Sequence, residues 1–299
     1  MPISDLAEIQ ENQIQVSDQL VLHYKVSGSG PMVVVFVPGW TMSSQVFEHQ
    51  LLHLAGSSDY SAIAYDPRSQ GSSTTTMEGH YYEQHAKDLH GLIEGLGIQD
   101  VIFVAWSAGS GDVLEYIRMF GSENVRGLVL LDIPPKVRGF DRELEWVDFG
   151  TKDNGDQDGQ LKFFCSDLLL DRLRVTREFS EWMLDDPSEE NLDFFVRMST
   201  ATPDSIAAQL IMSFIFLDNT RVVEELDATI PLLYFTRSEW QALATKWATE
   251  HTPRAVVESF GKHAMFWEHP ETFNAALDRF LTRCGLAEEQ RRNGHNSEE

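Results

Sequence analysis

Residues 14–26, IQVSDQLVLHYKV, alternate apolar and polar side chains about a Ser-Asp step. A period of two broken by a turn pair predicts a β-hairpin with one buried face. After the turn cluster Gly28-Ser29-Gly30-Pro31 the pattern changes. Met32–Val37, MVVVFV, has no polar face and is rich in β-branched residues. Such a run fits a central strand of a parallel sheet, covered on both sides. The same grammar then repeats. Ser61–Tyr65 (SAIAY), Val101–Ala105 (VIFVA) and Val125–Leu131 (VRGLVLL) read as further buried strands. Between them, 46–54 and 81–96 carry apolar residues at steps of three and four, as in Ala86, Leu89, Leu92, Ile93 and Leu96. These are helices, and Gly97 closes the second as its C-terminal cap. A third helix runs on through Tyr116–Phe120. Strand and helix in alternation predict βαβ crossovers and a mostly parallel central sheet with helices on both faces.

The alternation stops at Pro134. Residues 149–160, FGTKDNGDQDGQ, are Gly- and Asp-rich and read as an exposed loop, and helical patterns continue to about Asn219. Strand grammar returns at Ile230–Phe235 (IPLLYF) and Ala255–Phe260 (AVVESF), each followed by a helix, the last being Pro270–Leu281. The expected organisation is one α/β core, 1–133 and 223–285, interrupted by a helical cap or lid at 134–222. The polar tail at 286–299 is expected to be disordered.

Charge narrows the function. Asp plus Glu number 47 against 23 Lys plus Arg, a net charge of −24. Nucleic acid and anionic membrane surfaces need clustered basic residues, so neither is expected as a partner. No apolar run approaches the ~20 residues of a membrane span. The N-terminus lacks the basic and apolar regions of a signal peptide. A cytoplasmic protein acting on a small molecule is expected, and a homodimer is compatible with it. Cys165 and Cys284 have no metal-ligand spacing, and the histidines form no H-x-x-x-H or H-E-x-x-H set. No phosphate loop or G-x-G-x-x-G follows a strand, so the expectation is no cofactor and no metal.

In open parallel sheets ligands sit beyond the carboxyl ends of the strands. The residues found there are Trp40-Thr41, Ser107, Asp132 and His263. A serine hydroxyl is a weak nucleophile until a base takes its proton, and a histidine suits that task near neutral pH. A third group must then orient the imidazole.

Four segments in order, VPGW, DPRSQGSS, AWSAG and the histidine block His263-Ala-Met-Phe-Trp-Glu268-His-Pro270, resemble the α/β-hydrolase fold family over nearly the whole chain. The resemblance implies that Ser107 is the nucleophile on a strained strand-to-helix turn, with Ala105 and Gly109 as the small residues beside it. It implies that His263 is the base. It also implies an oxyanion hole from the backbone N–H groups of Trp40 and Ala108. The family's usual acid follows the strand IPLLYF, where this chain has Thr236-Arg237-Ser238-Glu239-Trp240, with Trp240 in the aspartate position. Asp132, at the end of the earlier strand, resembles the arrangement of some lipases and of cofactor-free quinolone dioxygenases. Asp132 is the first candidate acid and Glu239 the alternative.

Met42, Trp106, Met265 and Phe214 are expected to line an apolar substrate pocket, and Arg68 to brace its own loop through Asp66. The leading reading is a serine hydrolase of a carboxylic ester or lactone. Two alternatives share the scaffold. One is a cofactor-free oxygenase of a heteroaromatic substrate using His263 and Asp132, although Trp106 and Ala108 stand where that group shows histidines. The other is a non-catalytic small-molecule receptor.

Overall fold

The computed structural model describes residues 8–137 and 162–295. The hairpin is β1 (Gln10–Ser17) and β2 (Leu20–Gly28), paired antiparallel. β3 (Met32–Val37), α1 (Glu48–Leu54), β4 (Tyr60–Tyr65), α2 (Tyr82–Gly95), β5 (Val101–Trp106), α3 (Gly109–Phe120) and β6 (Val125–Leu131) follow. After the insert come β7 (Leu232–Thr236) and β8 (Val256–Ser259). The eight strands form one sheet in the order β1-β2-β4-β3-β5-β6-β7-β8, parallel from β4 to β8. The α/β-hydrolase fold and its mostly parallel sheet are therefore as expected.

The two-residue period sorts the core into two layers. Val33, Val35, Val37, Phe103 and Ala105 face one side. Val34, Phe36, Ile102, Val104 and Trp106 face the other. Every residue of β5 is buried, whereas the edge strand β1 alternates between exposed and half-buried positions. β3 has β4 on one side and β5 on the other, so the chain reverses its direction of winding there. The crevice at such a switch point is where ligands bind in open α/β sheets. Gly97 ends α2 at φ 67°. Ile98 N–H reaches Ile93 O at 3.0 Å and Gly97 N–H reaches Glu94 O at 3.0 Å, satisfying carbonyls of the last turn.

Between β6 and β7 the described chain is helical: a π-helical turn (Lys162–Asp167), a short turn (Leu168–Leu170), α4 (Arg172–Met183), α5 (Glu189–Thr200), α6 (Asp204–Ile215) and α7 (Thr220–Asp227). The expected loop at 149–160 lies outside the described residues. This stretch leaves and rejoins the core at neighbouring points, since Asn219 N–H bonds Pro135 O at 3.0 Å. α7 straddles the boundary expected at 222/223 and packs on α3, so it sits with the core. The last elements are α8 (Gln241–His251), α9 (Met265–Glu268) and α10 (Pro270–His295). The expectation of disorder from 286 needs correction, because α10 continues to His295. Leu286-Ala-Glu-Glu-Gln-Arg-Arg is a run of strong helix formers. An Arg126–Glu288 ion pair at 3.0 Å ties it back to the sheet.

Candidate active site

β5 delivers Ser107 through a sharp turn into α3. Ser107 has φ 51°, a left-handed conformation that a non-glycine residue holds only under constraint from its surroundings. It is the one residue of 101–117 that is not buried. The small residues around it have specific causes. A Cβ on Gly109 would lie 2.5 Å from Pro38 O and 2.7 Å from Val37 O, so a side chain there collides with backbone. A Cβ on Gly39 would lie 3.2 Å from Ser107 Cβ, which shows how closely the turn after β3 presses on the elbow.

That turn is tight: Thr41 has φ 58°, and Met42 N–H reaches Gly39 O at 3.1 Å. Neither the Trp40 nor the Ala108 N–H has a protein acceptor among the described residues. Trp40's indole N–H donates to Ala207 O at 2.8 Å, fastening the turn to α6. Arg172 stacks over the Trp40 ring at 5.1 Å and donates to Ser199. Burial lowers the pKa of that guanidinium to about 10.

β6, the neighbour of β5, ends at Asp132, which is fully buried and also left-handed at φ 52°. Its N–H donates to Phe235 O at 2.6 Å. Its Oδ2 lies 2.6 Å from His263 Nδ1. Arg237 holds the same carboxylate three times: backbone N–H to Oδ1 at 2.7 Å, and Nε and Nη2 to Oδ2 at 2.9 and 2.7 Å. The guanidinium is stacked between Trp182 at 3.8 Å and Trp240 at 4.1 Å. A buried ion pair is tolerable only when its remaining donors and acceptors are met, and this one is met on nearly every side.

His263 is 3% exposed. Its carbonyl accepts from the Trp106 indole N–H at 2.8 Å, and its ring lies among Trp106, Trp182 and Phe179. With Nδ1–H directed at Asp132, Nε2 carries the lone pair of a neutral imidazole. Burial holds the His263 pKa below its ordinary value of 6.5. Asp132 pulls the other way, and the Arg237 charge adds to the lowering. Burial alone would raise the Asp132 carboxyl, but the hydrogen bond and charge of His263, then Arg237, hold it below its ordinary range. The site thus pairs an ionised acid with a neutral base at neutral pH. Glu268, in the same histidine block, accepts the N–H groups of Asp185 and Asp186 at 2.9 and 2.8 Å.

Ser107, Asp132 and His263 all lie beyond strand carboxyl ends, with Trp40 and Ala108 at the switch point. Glu239 is exposed on the turn Ser238–Trp240, and no contact joins it to His263. The four expected pocket residues divide between the two layers of the core. Met42, Trp106 and Met265 are buried in one layer of the core, while Phe214 is buried in the other, 5.5 Å from Tyr82. Sheet parity sends Trp106 to one face, and α6 packs toward α2 on the other. Arg68 braces its own loop, through Thr76 Oγ1 at 3.2 Å and Glu78 O at 3.3 Å, but not through Asp66. Its guanidinium pairs with Asp88 at 2.7 Å, because Asp66 is occupied by His23 and by the Ser44 and Ser72 N–H groups.

Sequence reasoning did not find Arg237, Trp182 or Phe179. An arginine directly after a buried strand was the available signal for the first, and aromatics three apart on one helix for the others. Among the described residues no His, Cys, Asp or Glu cluster is arranged to hold a metal, and no helix is long and apolar enough to cross a membrane.

Comparison with known proteins adds an independent line. The alpha/beta hydrolase family profile matches residues 34–276. A non-heme chloroperoxidase of Kitasatospora aureofaciens is 34% identical over 131 residues, which is 44% of this chain and 47% of that protein. A bifunctional esterase/perhydrolase of Acinetobacter calcoaceticus is 30% identical over 124 residues, 41% of this chain and 45% of that one. The match thus spans about half the length of these relatives. A bromoperoxidase from Bacillus anthracis shares the fold with a TM-score of 0.78 and 26% identity, covering 91% of this chain and 100% of that one.

Proposed function

The chain belongs to the alpha/beta hydrolase family, and from that premise we propose that it is a serine hydrolase cleaving a carboxylic ester or lactone of a fairly apolar small molecule. The observation that carries this reading is the Asp132–His263 contact of 2.6 Å beyond the same sheet edge as the left-handed, partly exposed Ser107. Ser107 Oγ attacks the carbonyl carbon while His263 Nε2 takes its proton. Asp132 steadies the imidazolium that forms. The N–H groups of Trp40 and Ala108 meet the developing oxyanion, a contribution worth roughly 10²–10³ in rate per donor. His263 then returns the proton to the departing alkoxide, leaving an acyl group on Ser107. Water, activated by the same imidazole, releases the acid and restores the serine.

A second reading keeps the acyl-enzyme and changes the molecule that cleaves it. The name of the Acinetobacter relative includes perhydrolase, and the other two names are peroxidases. Hydrogen peroxide in place of water would give a peracid and the free serine, with no change in the protein's own groups.

The test is a panel of p-nitrophenyl esters and aliphatic lactones, with and without hydrogen peroxide, on the wild type and on Ser107→Ala. Turnover abolished by Ser107→Ala supports the proposal, and peracid formation selects the second reading. Oxygen uptake with a heteroaromatic substrate, and no ester or lactone turnover, would move the site to the oxygenase class.

A further inference from the structure

Behind the turn at Gly39-Trp40 lies a cavity of about 10 Å³, lined by Pro38, Gly39, Trp40 and Ala108, Gly109 on two sides and closed by Gln70, His85 and Asp112. Ser107 and His263 are not among the residues that line it. A volume of this size accommodates one water molecule, provided polar partners face it. Two do. Gln70 Oε1 and His85 Nε2 are buried polar atoms without a hydrogen-bond partner, on side chains 4% and 3% exposed. A buried polar atom left unpaired is costly, and proteins rarely leave two beside one cavity.

The neighbouring groups explain why no side chain meets this need. Asp112 is already engaged at both oxygens, with His85 Nδ1 at 3.2 Å from Oδ1 and the Tyr65 hydroxyl at 2.8 Å from Oδ2. In the neutral tautomer with the proton on Nδ1, beside Asp112, His85 offers Nε2 as an acceptor. Gln70 is held in place by a folded loop. Its N–H reaches Pro67 O at 3.0 Å, its carbonyl accepts Ser73 N–H at 3.1 Å, and left-handed Ser69 and Gly71 flank it. Two acceptors facing one small space call for a molecule with two donors.

We propose that this cavity is a built site for one water molecule, and that Gln70 and His85 act through it as positioning residues for the backbone segments at Trp40 and Ala108. The water donates one hydrogen to each acceptor and fills the gap between the two segments that carry the oxyanion N–H groups. Such donors work only when held to about 0.5 Å. A void or a collapsed wall at this point leaves the segments free to shift relative to each other. The kinetic consequence rests on the hydrolase reading, while the site itself does not.

The test combines crystallography with kinetics on wild type, Gln70→Met and Gln70→Glu. Gln70→Met keeps length and removes the acceptor, and Gln70→Glu keeps an acceptor oxygen. The wild-type crystal structure should show one ordered water within about 3.2 Å of both Gln70 Oε1 and His85 Nε2. It should be absent in Gln70→Met and present in Gln70→Glu. With p-nitrophenyl acetate, Gln70→Met should lose kcat on the order of tenfold with KM held within about twofold, a fraction of the loss of a direct donor. Gln70→Glu should recover most of it. A dry cavity in the wild type overturns the site. A bound water with kcat unchanged in Gln70→Met overturns the positioning role. A wild type that turns over no ester ends the hydrolase reading, and the crystal structures still decide the water.

Discussion

The ends of β6 and β7 lie side by side, with Leu131 opposite Phe235, yet they carry opposite charges to the same place. β6 ends in a buried carboxylate, Asp132, and β7 runs into a buried guanidinium, Arg237. The imidazole and the guanidinium both meet Oδ2 of that carboxylate. Where the family resemblance leads one to look for an acid, this chain has a cation that holds an acid from the neighbouring strand. The difference teaches that the unit to be placed is a charge arrangement around His263 rather than an aspartate at one position. It also has a chemical cost. A carboxylate already shared with Arg237 makes the imidazole less basic, and burial pushes it the same way.

The comparison breaks most visibly at Asp132. Asp132→Asn should lower kcat by about 10⁴-fold, because the neutral amide favours the wrong imidazole tautomer. Ester kinetics at saturating substrate measure it, and near-wild-type activity would remove Asp132 from the mechanism. Arg237→Met comes next. Removing one partner of a buried pair typically costs about 3–5 kcal/mol of stability, read by chemical denaturation. The sign of its pH effect follows from the lost cation. The proposed mechanism needs neutral His263, so activity should rise with pH through the His263 pKa, which lies below 6.5 in the wild type. Without Arg237, Asp132 stabilises the imidazolium unopposed, and the acidic limb of the kcat/KM profile should move to higher pH. A limb that stays put or moves to lower pH contradicts the pairing.

Trp182→Leu removes one of the two rings stacked on Arg237. A desolvated cation–π contact is worth about 1–2 kcal/mol, so the melting temperature should drop; the same ring walls His263, so its loss should also move the acidic limb slightly to higher pH. Smallest of all, Glu239→Gln should change kcat and kcat/KM by less than about twofold, as expected for an exposed surface position. A large loss there would return the acid to the loop after β7.

How much of this was legible in the sequence follows from the kind of signal each part leaves. Buried strands such as Val101–Ala105 announce themselves by unbroken apolar runs, and the residue following each is then fixed in space by the sheet. Ser107, Asp132 and His263 could be singled out for that reason. Arg237 also follows a buried strand, but its role comes from the lateral pairing of β6 and β7, which no local pattern encodes. The residues named for the pocket left a different kind of signal. Parity along β5 tells which face Trp106 takes, but no period tells where α6 docks, and Phe214 went to the opposite layer. The C-terminal tail was misread because a polar composition hid strong helix propensity in 286–292. Gln70 and His85 read as an ordinary loop residue and helix residue, because a cavity exists only once five separate segments have met.

The central claim is an acyl-enzyme on Ser107, and acid-quenched mass spectrometry of the wild type mixed with p-nitrophenyl acetate tests it most directly. A single acetyl adduct is expected on the peptide carrying Ser107, formed in the wild type within the first turnover and absent in Ser107→Ala. Ester turnover with no adduct at Ser107, or an adduct on another residue, would contradict it.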